Sequence, residues 1–349
     1  MHRYWRLLAI LSCCQALLAA PPVREGTTIC IRDYLNRHWQ NETVHYAFQF
    51  EQGAFPQGAL SLLGVRDEPV PAQLEAVTLH DDGSLKSATL WFQASVKPFT
   101  AETWTLTAAP PKAEPSPPLV RESDDEIILT NQHIGIRIRK QLASDEGPIA
   151  RIRLTSGAWV GGSSLAIPDG PLEYEAKVLS HGPVFADVRS TVMWGDGSTW
   201  RVRFRLQADE PVILVDEEGA IKGKSKASFS LDLGDGFAPH SLLYRTGKGR
   251  VGRNKTWTIE EGEVHTLEPW LRWWEKERQG NCFSLYNDVD LLSVAAGHAG
   301  DWVDPAMKRG QRQRPRFQVT STRGAIRMAA RLTPGKRRWM ICCLPQKRV

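Results

Sequence analysis

The feature that most constrains this chain is a period of two. Apolar and polar residues alternate through one short run after another, and Gly, Asp, Asn and Pro part the runs. Such alternation describes strands with one face in a core and the other in water. Val44-His45-Tyr46-Ala47-Phe48-Gln49-Phe50 shows it first, Phe55-Pro56-Gln57-Gly58 makes a turn, and Leu60 to Val65 resumes an apolar run. Pro71 to Val77 and Ser87 to Phe92 flank Asp81-Asp82-Gly83-Ser84 as a hairpin, and Trp104 to Thr107 completes a small all-β unit.

Between Ala108 and Pro118 five of eleven residues are Pro, which predicts a stiff, extended linker and a domain boundary. Beyond it the alternating runs are Glu126 to Leu129, Ile134 to Arg139, Ile149 to Leu154, Tyr174 to Leu179 and Phe185 to Met193. Thr199 to Leu206, Val212 to Glu217 and Ala227 to Leu233 continue them. So many two-faced strands with almost no helical period predict an all-β protein whose larger part is an antiparallel β-sandwich. The single helix expected is Pro269 to Gln279, where Trp270, Trp273 and Trp274 share one face.

With 349 residues, 42% hydrophobic and 24% charged, the chain has the composition of a globular protein, which excludes collagenous, coiled-coil and disordered classes. Its longest apolar stretch, Leu7 to Ala20, is 14 residues, too short for the roughly 20 that cross a bilayer as a helix. Arg3 and Arg6 precede it and Leu18-Ala19-Ala20 close it, so residues 1–20 read as a secretory signal and the protein as secreted or periplasmic. Ile10-Leu11-Ser12-Cys13 also resembles a lipobox, which makes anchoring through Cys13 the alternative. Export permits disulfides among Cys30, Cys282, Cys342 and Cys343; Cys30 with Cys282 is one of the open pairings.

Charge is unevenly placed. From Pro305 to Val349 there are thirteen Lys and Arg and no Asp or Glu. Internal pairing with acidic neighbours is the expectation, with an acidic polysaccharide as the external partner that such a stretch suits. Aromatic residues are nearly absent from it, which argues against nucleic acid. No G-x-S-x-G elbow, H-E-x-x-H motif, Walker loop or dinucleotide fingerprint occurs, so the common hydrolase, zincin, kinase and nicotinamide signatures are missing. Asp288-x-Asp290 offers oxygen ligands for Ca²⁺ but has no glycine-spaced loop around it, and no cofactor or metal is expected.

Several spaced motifs then resemble one family. Phe55-Pro56-Gln57-Gly58-Ala59-Leu60, Val70 to Glu75, Asp82-Gly83-Ser84-Leu85-Lys86 and Leu90-Trp91-Phe92 are similar to the N-terminal RIFT-type barrel of exo-rhamnogalacturonan lyases. Leu129-Thr130-Asn131, His181 to Ala186, Gly195-Asp196-Gly197-Ser198-Thr199 and Gly335 to Trp339 resemble that family's central sandwich. The resemblance implies a small RIFT-type β-barrel over 21–107, the linker over 108–118 and the sandwich over 119–349. It departs from the family in ending before the expected α/α-toroid, so a separately encoded toroid becomes a candidate partner. The implied function is β-elimination on a uronate-containing, pectic polysaccharide; a non-catalytic carbohydrate-binding or scaffold protein, or a truncated gene product, is the alternative.

Such elimination needs a cation at the carboxylate, a base and an acid. The stretch His265 to Trp302 supplies His265, Arg272 and Tyr286 as catalytic candidates. Trp270, Trp273, Trp274 and Trp302 supply indole faces that stack on sugars, although three tryptophans at helical spacing equally suit packing on a sheet.

Overall fold

Alternation becomes antiparallel pairing throughout the computed structural model. The structure describes residues 22–110, 117–166, 173–222, 227–248, 251–259, 265–267, 277–296, 317–322, 325–332 and 334–345. The described residues contain no α-helix. Glu277 to Gln279, expected to end a helix, instead pair as strand with Lys248 to Thr246, and the rest of that expected helix lies outside the described residues. The chain divides into two compact units, Met1–Ala113 and Glu114–Val349.

In the larger unit, one five-stranded sheet runs in the order β12 (Trp159–Val160), β11 (Ile149–Arg153), β10 (Gly135–Arg139), β9 (Glu126–Thr130), β8 (Val120–Glu122). A second runs β13 (Gly162–Ala166), β18 (Ser228–Asp232), β25 (Ala325–Arg331), β24 (Phe317–Thr322), β21 (His265–Leu267). The third has nine strands. Its order is β14 (Glu173–His181), β15 (Phe185–Met193), β16 (Thr199–Gln207), β17 (Val212–Ala220), β26 (Gly335–Pro345), β23 (Asp290–Ala296), β22 (Glu277–Tyr286), β19 (Ser241–Lys248), β20 (Val251–Thr258).

The inward phase of each run makes one core. Ile127 and Ile136 from the first sheet, Phe229 and Leu231 from the second, and Val188, Phe204, Val215 and Trp339 from the third are all fully buried in it. Phe229 sits between two indoles, 5.4 Å from Trp200 and 6.3 Å from Trp339 between ring centroids. Tyr174 crosses from the nine-stranded sheet, donating its hydroxyl to the Arg139 carbonyl at 2.8 Å, and burial pushes its phenol up to about 12. Sandwich packing of this kind is the expected class, and the structure shows it.

The four cysteines outside the N-terminal segment are free thiols. Cys342 and Cys343 are neighbours on β26, so their side chains leave opposite faces of the sheet. Cys30 lies in the other unit, on β1 (Thr28–Arg32). Burial pushes Cys342 up to about 11 and Cys343 well above its ordinary value, which keeps both thiols protonated and inert.

The smaller unit has two sheets. One runs β1, β7 (Ala101–Thr107), β3 (Ser61–Leu63), β4 (Pro69–Val70); the other runs β2 (Trp39–Gln49), β6 (Leu85–Val96), β5 (Ala72–Leu79). Phe50, Phe55, Leu62, Leu90, Phe92 and Leu106 fill the core of this unit. No ladder joins the two sheets among the described residues, so the expected closed barrel is instead an open pair of sheets. The Asp82-Gly83-Ser84 turn follows local chemistry: Gly83 takes φ +80, and Asp82 accepts the Ser84 amide at 3.0 Å.

A second carboxylate organises the loops of this unit. Asp33 is buried and accepts four hydrogen bonds: from the amides of Leu35 (3.0 Å), Arg37 (3.1 Å) and Phe99 (2.9 Å), and from the Trp39 indole (2.8 Å). Burial opposes its charge, but these donors outweigh that and hold the carboxyl down at about 2. A group held below its unfolded value stabilises the fold above that value, and the contribution disappears as pH falls through the folded one. Wild-type protein is therefore expected to lose stability between about pH 4 and about pH 2, and Asp33→Ala to be less stable at neutral pH with a flatter acid limb. Thermal melts of both across that range check it.

Candidate functional site

The outward phase of the same strands gives the most distinctive surface. On β16, Trp200, Val202, Phe204 and Leu206 point inward, so Arg201, Arg203 and Arg205 stand outside. Arg189 stands out from β15 and Lys177 from β14. Register aligns them. Lys177 lies opposite Arg189, Arg189 opposite Arg203, Arg203 opposite Asp216 on β17, and Asp216 opposite Arg338 on β26. One row across five strands thus begins with three consecutive cations on strands about 4.8 Å apart. Like charges directly opposite one another weaken a sheet.

Part of this charge is answered within the protein. Asp187, fully buried, accepts both arms of Arg205 (Nε and Nη2, each 2.8 Å) and also binds Arg203. The Arg205 guanidinium lies 4.2 Å above the Phe185 ring. Asp216 takes Arg338 in a two-point contact that raises the guanidinium above its ordinary value, and Glu218 draws Lys336 to 3.7 Å. The exposed pairs at Asp216 and Glu218 contribute about 1 kcal/mol or less each.

The rest is unanswered. Among the described residues, Lys177, Arg189 and Arg201 have no hydrogen-bond or ion-pair partner, and Nε of Arg203 is buried without an acceptor. Arg189, Arg201, Arg203, Lys336 and Arg338 line an open hollow of about 720 Å³, with Asp216 and Glu218 on its β17 side and Leu179 also at its wall. Guanidinium forks over an open hollow suit carboxylate or sulfate groups in two-point fashion.

Beneath it lies an ion pair of a different kind. Glu217 points inward and accepts from Arg337 Nε at 2.6 Å, from the Trp200 indole at 3.1 Å and from the Trp339 indole. Both members of the pair are buried.

The residues singled out in the sequence do not converge among the described residues. His265 is on β21 in the second five-stranded sheet, opposite Ser321, whereas Tyr286 ends β22 in the nine-stranded sheet. Tyr286 meets His240 edge-on at 5.5 Å, and His240 reaches Asp288 at 3.4 Å. Arg272, Trp270, Trp273, Trp274 and Trp302 lie outside the described residues. Asp288 and Asp290 diverge: the first is exposed beside His240, the second is buried and accepts the Ser156 amide at 2.9 Å. Among the described residues no cluster of three or more His, Cys, Asp or Glu is placed to hold a metal ion, and no helix is long and apolar enough to cross a membrane. The arginine face itself was signalled by Arg201-x-Arg203-x-Arg205, three cations on one phase of a strand, but the rows they join depend on register.

No protein-family model matches the chain, and no curated protein matches it. Solved structures do share the fold. An alpha-mannosidase from Enterococcus faecalis aligns at a TM-score of 0.55 and 10% identity over 91% of this chain and 43% of that one. A glycosyl hydrolase family 38 protein, also from Enterococcus faecalis, aligns at 0.56 and 9% identity over 89% and 44%. The chain thus spans less than half the length of either. These neighbours overturn the resemblance to exo-rhamnogalacturonan lyases. The motifs behind it were largely turn chemistry: in the Asp196-Gly197-Ser198 turn, Gly197 takes φ +78 and Asp196 accepts the Ser198 amide at 2.7 Å, an arrangement any antiparallel hairpin can carry. The toroid inferred as a missing partner falls with it.

Glu217→Ala leaves the Arg337 charge buried without its carboxylate, and a loss of about 3–5 kcal/mol is expected. Replacing both by apolar residues of similar size should recover only part of it, because the Trp200 and Trp339 indoles still lose their acceptor, as urea denaturation of the single and double variants will show.

Proposed function

We propose that this protein is an exported saccharide-binding β-protein that holds an anionic polysaccharide on the outer face of its nine-stranded sheet. The observation that carries the proposal is the row Lys177, Arg189, Arg203, which sets like charges opposite one another with no ion-pair partner for the first two among the described residues. A bound carboxylate or sulfate relieves that repulsion, so the arrangement is worth its cost only with an anion present. The hollow is open, which suits a polymer passing across it better than a small molecule enclosed by it. The carbohydrate class is supported by the shared fold with an alpha-mannosidase and a glycosyl hydrolase family 38 protein. Export is supported by the basic, then apolar, then small-residue order of residues 1–20.

The outer face offers guanidinium forks and no aromatic platform in the lining of the hollow, so recognition works through charge and weakens with salt. Affinity electrophoresis through gels containing polygalacturonate or a neutral mannan tests this. Migration is expected to be retarded by the acidic polymer alone, and less so as salt rises. The double variant Arg189→Ala/Arg201→Ala should weaken binding about tenfold or more, since each charge-assisted bond contributes about 1.5–3 kcal/mol. Equal retardation by mannan, or retardation untouched by the double variant, overturns the proposal; equal retention by single-stranded DNA overturns its saccharide class.

A further inference from the structure

A second surface, in the smaller unit, is built on entirely different residues. The loops after β1 and between β6 and β7 carry Tyr34, Leu35 and Phe99, which are 75%, 67% and 67% exposed. Large apolar side chains left this open by a folded unit call for an explanation when they sit together. These do, because one carboxylate holds both loops: Asp33 accepts the amides of Leu35, Arg37 and Phe99, and the Asp33 amide donates to the Thr100 carbonyl at 3.0 Å. The backbone is strained at the same place. Phe99 has φ +56 and Asn36 φ +54, a region a bulky residue such as Phe rarely enters. Strain of this kind persists where surrounding bonds over-determine it, and here it turns a phenyl ring outward.

The rim is cationic. Arg32, Arg37 and Lys97 are exposed around the three apolar tips, and the Arg37 guanidinium lies 6.0 Å from the Trp39 ring centroid. Residues 31–40 and 95–101 contain one carboxylate, Asp33, which is buried beneath the tips, against the exposed cations Arg32, Arg37 and Lys97. Apolar tips that project from a cationic rim match the interface of an anionic bilayer, where rings and aliphatic groups enter the headgroup region and Lys or Arg meet lipid phosphates. A sugar site is instead concave and rich in side-chain hydrogen-bonding groups at its centre, and Leu35 offers neither a ring face nor a polar atom. We infer that the paired loops at Asp33 form a docking surface for an anionic lipid bilayer, with Tyr34, Leu35 and Phe99 as the inserting tips.

Co-sedimentation of the full chain with phosphatidylcholine vesicles, with and without phosphatidylglycerol, tests this. Binding is expected to the anionic vesicles and at least about fivefold less to the neutral ones. Leu35→Asp is expected to reduce the anionic binding about tenfold. Phe99→Gly removes the ring while suiting the positive φ, so it keeps the fold and should still lose most of the binding. Wild type and variants share residues 1–20, so their difference belongs to the tips. Because the cationic face of the other unit also attracts anionic vesicles, the tip variants are made in the Arg189→Ala/Arg201→Ala background as well, where Leu35→Asp and Phe99→Gly should still lose most of the remaining binding. Absence of anionic binding, or binding unchanged in Leu35→Asp and Phe99→Gly, overturns the inference. So does loss of polygalacturonate binding in Phe99→Gly, which would make the tips a sugar platform.

Discussion

The contact on which the larger unit depends is the pairing of two charged triplets far apart in sequence. Asp216-Glu217-Glu218 on β17 meets Arg338-Arg337-Lys336 on β26, residue against residue in antiparallel register. The central pair faces inward and is buried, where Glu217 also collects the indole donors of Trp200 and Trp339; the outer two face solvent. A slip of β26 by one residue would turn Arg337 outward and drive its neighbour Arg338 or Lys336 into the core, leaving Glu217 buried without its partner. Burial of a charge without its partner makes that register strongly disfavoured, so the ion pair contributes more to specifying the sheet than to its net stability.

That junction also joins two halves of one sheet. β14 to β17 form a meander in chain order, and β26 brings the β23, β22, β19 and β20 strands beside it. The outer face inherits its charge pattern from the same register. On the β17 and β26 side Lys336, Arg337 and Arg338 each meet a carboxylate, whereas on the β14 to β16 side Lys177 and Arg189 stack on Arg203, and Asp187, buried on the same face beside Arg189, binds Arg203 and Arg205. The uneven hollow is therefore a consequence of where the acidic triplet stops.

Much of this fold was legible in the sequence because strand alternation is local. The runs Phe185 to Met193 and Thr199 to Leu206 already show their inward phase, and Asp-Gly marks the turns. The thirteen cations without a carboxylate after Pro305 pointed to internal pairing, and three of them pair with β17. The site was less legible, because it is built across strands. Arg189 faces Arg203 only once β15 and β16 are in register, and no residue spacing in the sequence records that. His265 and Tyr286 were grouped by nearness along the chain, yet they sit on different sheets. Turn motifs misled for the opposite reason: Asp82-Gly83-Ser84 and Asp196-Gly197-Ser198 answer a local backbone demand common to hairpins of any lineage.

The two units place a buried carboxylate in opposite service. Glu217 is satisfied by side-chain donors from neighbouring strands, so its bonds fix a regular ladder and leave backbone geometry ordinary. Asp33 is satisfied mainly by backbone amides from two loops, so its bonds fix irregular chain and sustain positive φ at Asn36 and Phe99. Main-chain donors cannot be supplied by changing a side chain, which ties the loop conformation to Asp33 itself. Any function at those tips therefore depends on a residue that remains buried beneath them, just as the outer charge row depends on the inward-facing Glu217.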